Sequence, residues 1–344
     1  MVAAGLLPDS SVANVVVILL ATAVVWVGSG LLESSAERLS AHYALPPVVQ
    51  GSVVVAVGSS FPEFTSVVVA AVEGVFDMGV GAVVGSAIFN VLVIPALSGL
   101  ATGEDLQTNR AVVYKEAQFY MIAVSTLVVT FALAVIYVPV PDGAPLVGLI
   151  TRPLAAIPLL LYGLYLFIQW QDVGDHDTET DRDVDLPREW GKLAAGLALI
   201  VIAVEVLVGS IGSLGATFGV PDFLAGVTVL AAATSLPDTL VSVRSAQDGQ
   251  AVTSLGNVLG SNTFDLLVAI PVGVLIVGSV PIDFAVAVPM MGVLTLATVL
   301  LFAFLRTDLS LSRVESYTLL VAYALFVAWV IAETVGATNV IRAA

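Results

Sequence analysis

The sequence predicts an all-α polytopic membrane protein, with ten transmembrane helices arranged as two inverted five-helix repeats. Three observations carry this expectation. The 344-residue chain is 58% hydrophobic and 11% charged, with a mean hydropathy of +1.04, and a soluble domain cannot hide that much apolar surface. Apolar stretches of about 20 residues, long enough to cross a hydrocarbon core, recur along its length. Residues 51–95 match residues 226–270 at a constant offset of 175, with 15 of 45 positions identical and no gap.

Taken in order, the spans fall near residues 12–32, 47–72, 78–100, 111–138 and 146–170, then near 190–212, 221–243, 252–277, 282–305 and 317–335. Runs this long and unalternating are helices, because hydrocarbon offers no partner for an unpaired backbone group. The first span follows MVAAGLLPDSS, which lacks the basic start of a secretory signal peptide, so it reads as a retained span. Glu33 and Glu333 lie near span ends and are expected to reach the interface. Glu205, in the sixth span, has no counterpart at the repeat offset and reads as a helix-packing or protonated residue.

The acidic segment Gln171–Glu189 divides the chain into a first repeat (1–170), a linker (171–189) and a second repeat (190–344). A calcium loop starting at Asp175 would need glycine at its sixth position and glutamate at its twelfth. The chain has Thr180 and Leu186 there, so the segment reads as a solvated linker. The net charge of −16 disfavours nucleic acid as a partner and suits a salty cytoplasm. With no cysteine, there is no disulfide or thiolate site. His42 and His176 fall in loops, and neither is expected to hold a metal. The bilayer and small inorganic cations are the expected partners, and no protein partner is evident.

Basic residues set the orientation. With the N-terminus outside, the inner segments hold Arg38, Arg110, Lys115, Arg182, Arg188, Lys192, Arg244, Arg306 and Arg313, and the outer ones only Arg152 and Arg342. This nine-to-two bias puts the linker inside. The chain reads as a multi-pass protein of the cell membrane.

The repeat matches polar residues as well as apolar ones. GSSFPE (58–63) falls on ATSLPD (233–238), and GSAIFN (85–90) on GSNTFD (260–265). An odd number of spans per half inverts the second copy, as in many secondary transporters, and brings both motifs together near the bilayer midplane. Pro62 lacks an amide hydrogen and crowds the carbonyl of Gly58, and Pro237 does the same to Ala233. Interrupted spans would expose carbonyl oxygens around Ala56–Ser59 and Ala231–Thr234, which is tolerable at that depth only where they line a cavity or bind something. With Glu63, Asp238 and nearby hydroxyls, they make an all-oxygen site suited to Na+ or Ca2+. Glu63 to Asn90, and Asp238 to Asp265, are each 27 residues apart. That spacing suits hairpins turning near Gly74–Gly79 and Gly249–Ser254, with Asn90 facing Glu63 and Asp265 facing Asp238.

These paired motifs resemble the two α-repeats of the calcium/cation antiporter superfamily, which contains the Na+/Ca2+ exchangers. The resemblance implies an alternating-access exchanger in which the first and sixth spans slide across a core carrying the ion sites. Carried over position by position, Glu63 and Asp238 are the central Ca2+ ligands, and Ser59, Thr234 and carbonyls near Ala56 and Ala231 add oxygens. Ser60, Ser86, Ser235 and Ser261 line flanking Na+ sites, and Asn90 and Asp265 complete the centre. Asp238, where many of these exchangers have glutamate, is similar to the K+-dependent branch. Ala233 replaces a usual glycine, Ser59 replaces a common threonine, and the large regulatory insertion of animal exchangers is missing.

The expected function is therefore Na+/Ca2+ antiport with no cofactor and no enzymatic activity. Ca2+/H+ exchange and K+-dependent Na+/Ca2+ exchange are the alternatives. Three carboxylates facing three Na+ or one Ca2+ imply one net charge moved per cycle. An intramembrane aspartyl protease using Asp238 and Asp265 is a rival from another class, as is a channel. Neither explains matched motifs in both halves.

Overall fold

The computed structural model describes residues 10–43, 56–140, 146–171 and 184–341. Helices account for almost all of them: α1 (Ser11–His42), α2 (Ala56–Ser59), α3 (Phe61–Glu73), α4 (Phe76–Leu92), α5 (Ile94–Thr102), α6 (Ala117–Tyr137) and α7 (Arg152–Gln171), then α8 (Leu186–Phe218), α9 (Asp222–Ala225), α10 (Ala231–Thr234), α11 (Leu236–Gln247), α12 (Ala251–Phe264), α13 (Ile270–Val277), α14 (Phe284–Arg306) and α15 (Arg313–Thr334). Wider π-helical turns at Val112–Glu116, Gly226–Leu230 and Asp265–Ala269 adjoin α6, α10 and α12.

Among the described residues, eight helical stretches are long and apolar enough to cross a membrane. A ninth forms if the bent pair Asp222–Thr234 and Leu236–Gln247 counts as one span. Of the expected span 47–72, residues 47–55 lie outside the described residues, and the remainder is α2 and α3. The chain is thus an all-helical polytopic protein.

Each expected helix break is present. α2 and α3 part at Ser60, and α10 and α11 part at Ser235 with a bend of 46°. Pro62 and Pro237 sit in the first turns of α3 and α11, where a missing N–H costs nothing. Both hairpins turn through a left-handed glycine, Gly74 at φ 81° and Gly249 at φ 77°, a conformation that a side chain disfavours.

Burial sorts the helices. Of the most apolar 18 residues, 89% are buried in Phe76–Thr102 and 72% in Ala251–Val277, against only 22% in α15. The outer helices turn Leu19, Leu160, Leu296 and Leu325 outward, as lipid-facing surfaces require. α4 lies against the other half so closely that a Cβ on Gly81 or Gly85 would sit 2.3 or 2.2 Å from the carbonyl oxygens of Phe223 and Val227. A Cβ on Gly226 would sit 2.1 Å from that of Met78.

α1 and α8 are the longest helices, at 32 and 33 residues. They run beyond the expected spans and reach roughly 48 Å at 1.5 Å per residue. They pack together at Gly28 and Gly196, around a cluster that includes Val25, Leu32, Ile200 and Leu207. Glu189 joins their ends, taking Lys192 at 2.8 Å and Arg38 at 3.3 Å. The linker was expected to be solvated through Glu189. Instead α8 begins at Leu186 and Glu189 is buried, because two cations compensate it. The linker residues 172–183, with His176, lie outside the described residues.

Two further expectations are corrected. His42 ends α1, rather than lying in a loop, and packs edge-on against Tyr43. Glu333 is fully buried rather than interfacial, because it accepts from Ile341 N at 2.7 Å and Thr338 Oγ1 at 2.5 Å and so fastens the residues after α15.

Two short antiparallel strand pairs tie the ends of the bundle. β1 (Leu106–Gln107) pairs with β4 (Ser310–Leu311), and β2 (Val147–Thr151) pairs with β3 (Ser279–Asp283). Arg313 donates to the carbonyl of Gly103 at the first end, and Arg152 Nε to that of Leu275 at 3.1 Å at the second.

Candidate cation site

The two broken helices and the two returning helices meet in one polar cluster. Ser59, Ser60, Glu63, Ser86, Asn90, Thr234, Ser235, Asp238, Ser261 and Asp265 all have no exposed surface. Ala231 is also buried, and Ala56 begins α2.

The hydrogen bonds run mainly between the halves. Ser235 Oγ donates to Ser86 Oγ at 2.7 Å, and both hydroxyls lie 3.3 Å from Glu63 Oε1. Ser59 and Ser261 share a bond of 3.0 Å. Asn90 Nδ2 donates to Asp238 Oδ2 at 3.2 Å. Asn90 was expected to face Glu63 across its own hairpin. It crosses to Asp238 instead, because the glycine face of α4 draws that helix onto the other half.

What remains is a set of oxygens without protein donors. Glu63 Oε2, Asp238 Oδ1, both Asp265 oxygens, Asn90 Oδ1 and Ser60 Oγ are buried and unpartnered. Buried polar atoms are normally paired, and six such oxygens in one cluster have the chemistry to take up positive charge. The donor set fits hard cations, because ionised carboxylates and amide oxygens are acceptors only. Among the described residues no group of three His, Cys, Asp or Glu side chains stands at metal-holding distance.

Some expectations need adjusting. The Ala231 carbonyl already accepts from Ser235 N at 3.0 Å and from Thr234 Oγ1 at 3.3 Å, so Pro237 deprives the Ala233 carbonyl of its donor, not this one. Thr234 also donates to the Leu230 carbonyl at 3.1 Å, which leaves its lone pairs to accept. Asp265 makes no hydrogen bond to Asp238, so the two are not the proton-sharing dyad an aspartyl protease needs.

Asn262 was missed. Its Nδ2 lies 3.2 Å from the Ala87 carbonyl and 3.3 Å from the Tyr120 hydroxyl, and its Oδ1 accepts from Asn90 at 3.0 Å. Its repeat counterpart is Ala87, so a comparison of matched polar residues passes over it. An asparagine in the middle of an apolar span was the available signal. Glu33 on α1 was expected to reach the interface and instead turns inward against the broken helix α2. Its Cγ lies 3.7 Å from where a Gly58 Cβ would be, and its Oε1 is buried and unpartnered.

An oxygen-lined cluster shared by two broken helices, in a polytopic helical protein, defines a membrane cation transporter. The family model described as sodium/calcium exchanger protein matches residues 13–171 and 189–332. The chain belongs to that family, and so to the calcium/cation antiporters. Relatives include a putative antiporter, CaxA, of Alkalimonas amylolytica, which is 30% identical over 89% of this chain and 97% of its own length. The inner membrane protein YrbG of Escherichia coli is 28% identical over 75% of this chain and 80% of its own. Crystals of the sodium-calcium exchanger NCX_Mj show the same fold, with a TM-score of 0.62 at 22% identity over 93% of this chain and 99% of that one.

Proposed function

We propose that the protein exchanges Na+ for Ca2+ by alternating access, moving net charge in each cycle. The observation that carries this reading is the cluster of unpartnered buried oxygens on Glu63, Asp238 and Asp265, held by hydrogen bonds that cross from one half to the other. Glu63 and Asp238 hold Ca2+, with help from Ser59, Thr234 and backbone carbonyls. Ser60, Ser86, Ser235 and Ser261 serve Na+, and Asn90 and Asp265 complete the centre.

The architecture proposed with it is ten spans in two inverted repeats, 1–170 and 190–344, joined by the linker 171–189. The strand pairs support this. β1 precedes the fourth span and β4 the tenth, whereas β3 precedes the ninth and β2 the fifth. Exchanging the halves therefore turns one pair into the other, at opposite ends of the bundle. The pairing of α1 with α8 around glycines supports their sliding as one unit. The distribution of lysine and arginine supports an N-terminus outside a cell membrane.

A second reading, K+-dependent exchange, is favoured by a short match to the human sodium/potassium/calcium exchanger 5. It is 44% identical over 62 residues, or 18% of this chain and 12% of that protein. Proton coupling is the remaining alternative. Ca2+ uptake into proteoliposomes, with Na+, K+ and pH gradients imposed one at a time, separates the three. Uptake driven by a pH gradient alone overturns the Na+ reading.

A further inference from the structure

The two hairpins are repeat counterparts, yet four buried polar side chains at one of them have apolar counterparts at the other. On α11, Ser242 follows Asp238 by one turn. On α12, Asn257 and Ser254 precede Ser261 by about one and two turns, and residues four and seven apart share a helix face. Asn257 Nδ2 donates to Ser242 Oγ at 3.3 Å, and Ser254 Oγ to Ser98 Oγ on α5 at 3.2 Å. Ser98, Ser242 and Ser254 are buried; Asn257 is 8% exposed, and its Oδ1 has no partner. One turn beyond Ser254 lies Gln250, exposed at the α11–α12 turn. From Gln250 to Ser261 is roughly 16 Å of helix, about half the thickness of a hydrocarbon core.

At the offset of 175, Ser242, Ser254 and Asn257 correspond to Val67, Gly79 and Ala82; α5 and α13 both open on Ile-Pro, at Ile94 and Ile270, so Ser98 corresponds to Val274. None of the four carries a polar side chain: Val67 and Val274 pack in one apolar cluster where α3, α4 and α13 meet, and Ala82 packs in another with Met78 and Ile200. The interface of α3, α4 and α13 is tight: a Cβ on Gly79 would lie 3.0 Å from Ala70 Cβ, and one on Gly273 2.8 Å from Val67 Cγ1. At these positions the unit is apolar in one half and lined with oxygen in the other, and the buried Ser66 on α3 spends its hydroxyl on the Glu63 carbonyl at 2.7 Å.

We propose that the interface of α11, α12 and α5 is a hydrophilic half-channel. It admits water and small monovalent cations between the cation site and the Asp248–Gln250 turn, and α3, α4 and α13 offer no matching route. The lining is neutral hydroxyl and amide oxygen. A divalent ion wants carboxylates as well, whereas conduction needs ligands weak enough to let the ion leave. The route rests on the reading of the site only for its inner end, and not on which ions are exchanged.

The chain has no cysteine, so single cysteines can test it. Ser242→Cys and Ser254→Cys on one hairpin, with Val67→Cys and Ala82→Cys on the other, are exposed to Ag+ in sealed vesicles. Gln250→Cys marks the side of the turn with an impermeant thiol reagent. Ag+ added on that side should modify positions 242 and 254 at least about tenfold faster than 67 and 82, which must wait for local opening. Adding Asn257→Leu should slow modification at 242 by a similar factor. The two serine positions are read independently, so misfolding of one leaves the other informative. Equal rates in the two hairpins, or modification of 242 and 254 only from the opposite side, overturn the proposal. Because the readout is thiol modification, it stands whether or not Na+ drives Ca2+ uptake.

Discussion

Replacing Glu63 with glutamine keeps the size of the side chain and removes its charge. Glu63 is fully buried, and its Oε1 takes the Ser86 and Ser235 hydroxyls at 3.3 Å while Oε2 has no protein donor. The amide oxygen of glutamine can still accept from both serines, so the cross-repeat bonds and the fold should survive. A cation in the site loses a full charge partner. At an effective dielectric constant near 20 and a separation of 4 Å, that is worth about 4 kcal/mol for Na+ and about twice that for Ca2+. Since about 1.4 kcal/mol is tenfold in affinity, Ca2+ binding should weaken by three orders of magnitude or more. Ca2+ uptake by purified, reconstituted Glu63→Gln should vanish while its elution profile and thermal midpoint in detergent stay near those of the parent. Glu205→Gln, half-buried on α8 and without a counterpart at the repeat offset, should transport well. An active Glu63→Gln beside a dead Glu205→Gln would refute the placement of the site.

Ser235→Ala removes the 2.7 Å bond to Ser86 and one donor to Glu63; a loss of about 1 kcal/mol should raise the Na+ concentration for half-activation several-fold, measured by Na+-dependent uptake. Gly226→Ala places a Cβ 2.1 Å from the Met78 carbonyl and should cost about 1–3 kcal/mol by overpacking, seen as a lower thermal midpoint; an unchanged midpoint would contradict the close approach of the halves. Cysteines at the exposed Asp105 and Ser279, near β1 and β3, should label from opposite faces of the membrane, with Asp105→Cys inside.

Much of the site was legible because its chemistry is written twice. Pro62 and Pro237 forecast the breaks at Ser60 and Ser235, and Gly74 and Gly249 forecast the hairpin turns. Matched polar residues identified ten side chains that the fold buries together. What the sequence withheld was pairing across the halves. Asn90 reaching Asp238 depends on how closely Gly81 and Gly85 let α4 approach the other repeat, a property of three-dimensional packing. Asn262 and the Ser242–Asn257 lining escaped because they are polar in one copy only. Glu333 was misread because its partners, Thr338 and Ile341, follow the helix and fold back on it. The lengths of α1 and α8 escaped because hydropathy marks the apolar part of a helix and not its charged ends.

The most direct test of the central claim is Ca2+ uptake into Na+-loaded proteoliposomes at clamped membrane potentials, with wild type and Glu63→Gln side by side. The clamp uses a K+ ionophore, after K+ itself has been checked as a substrate. If three Na+ leave for each Ca2+ that enters, one positive charge leaves per cycle, and 100 mV acts on it with about 2.3 kcal/mol. An interior-positive potential should then increase Na+-driven uptake by the wild type, with no uptake by the variant. Uptake that proceeds without Na+, or that ignores potential while depending on Na+, would contradict electrogenic Na+/Ca2+ exchange.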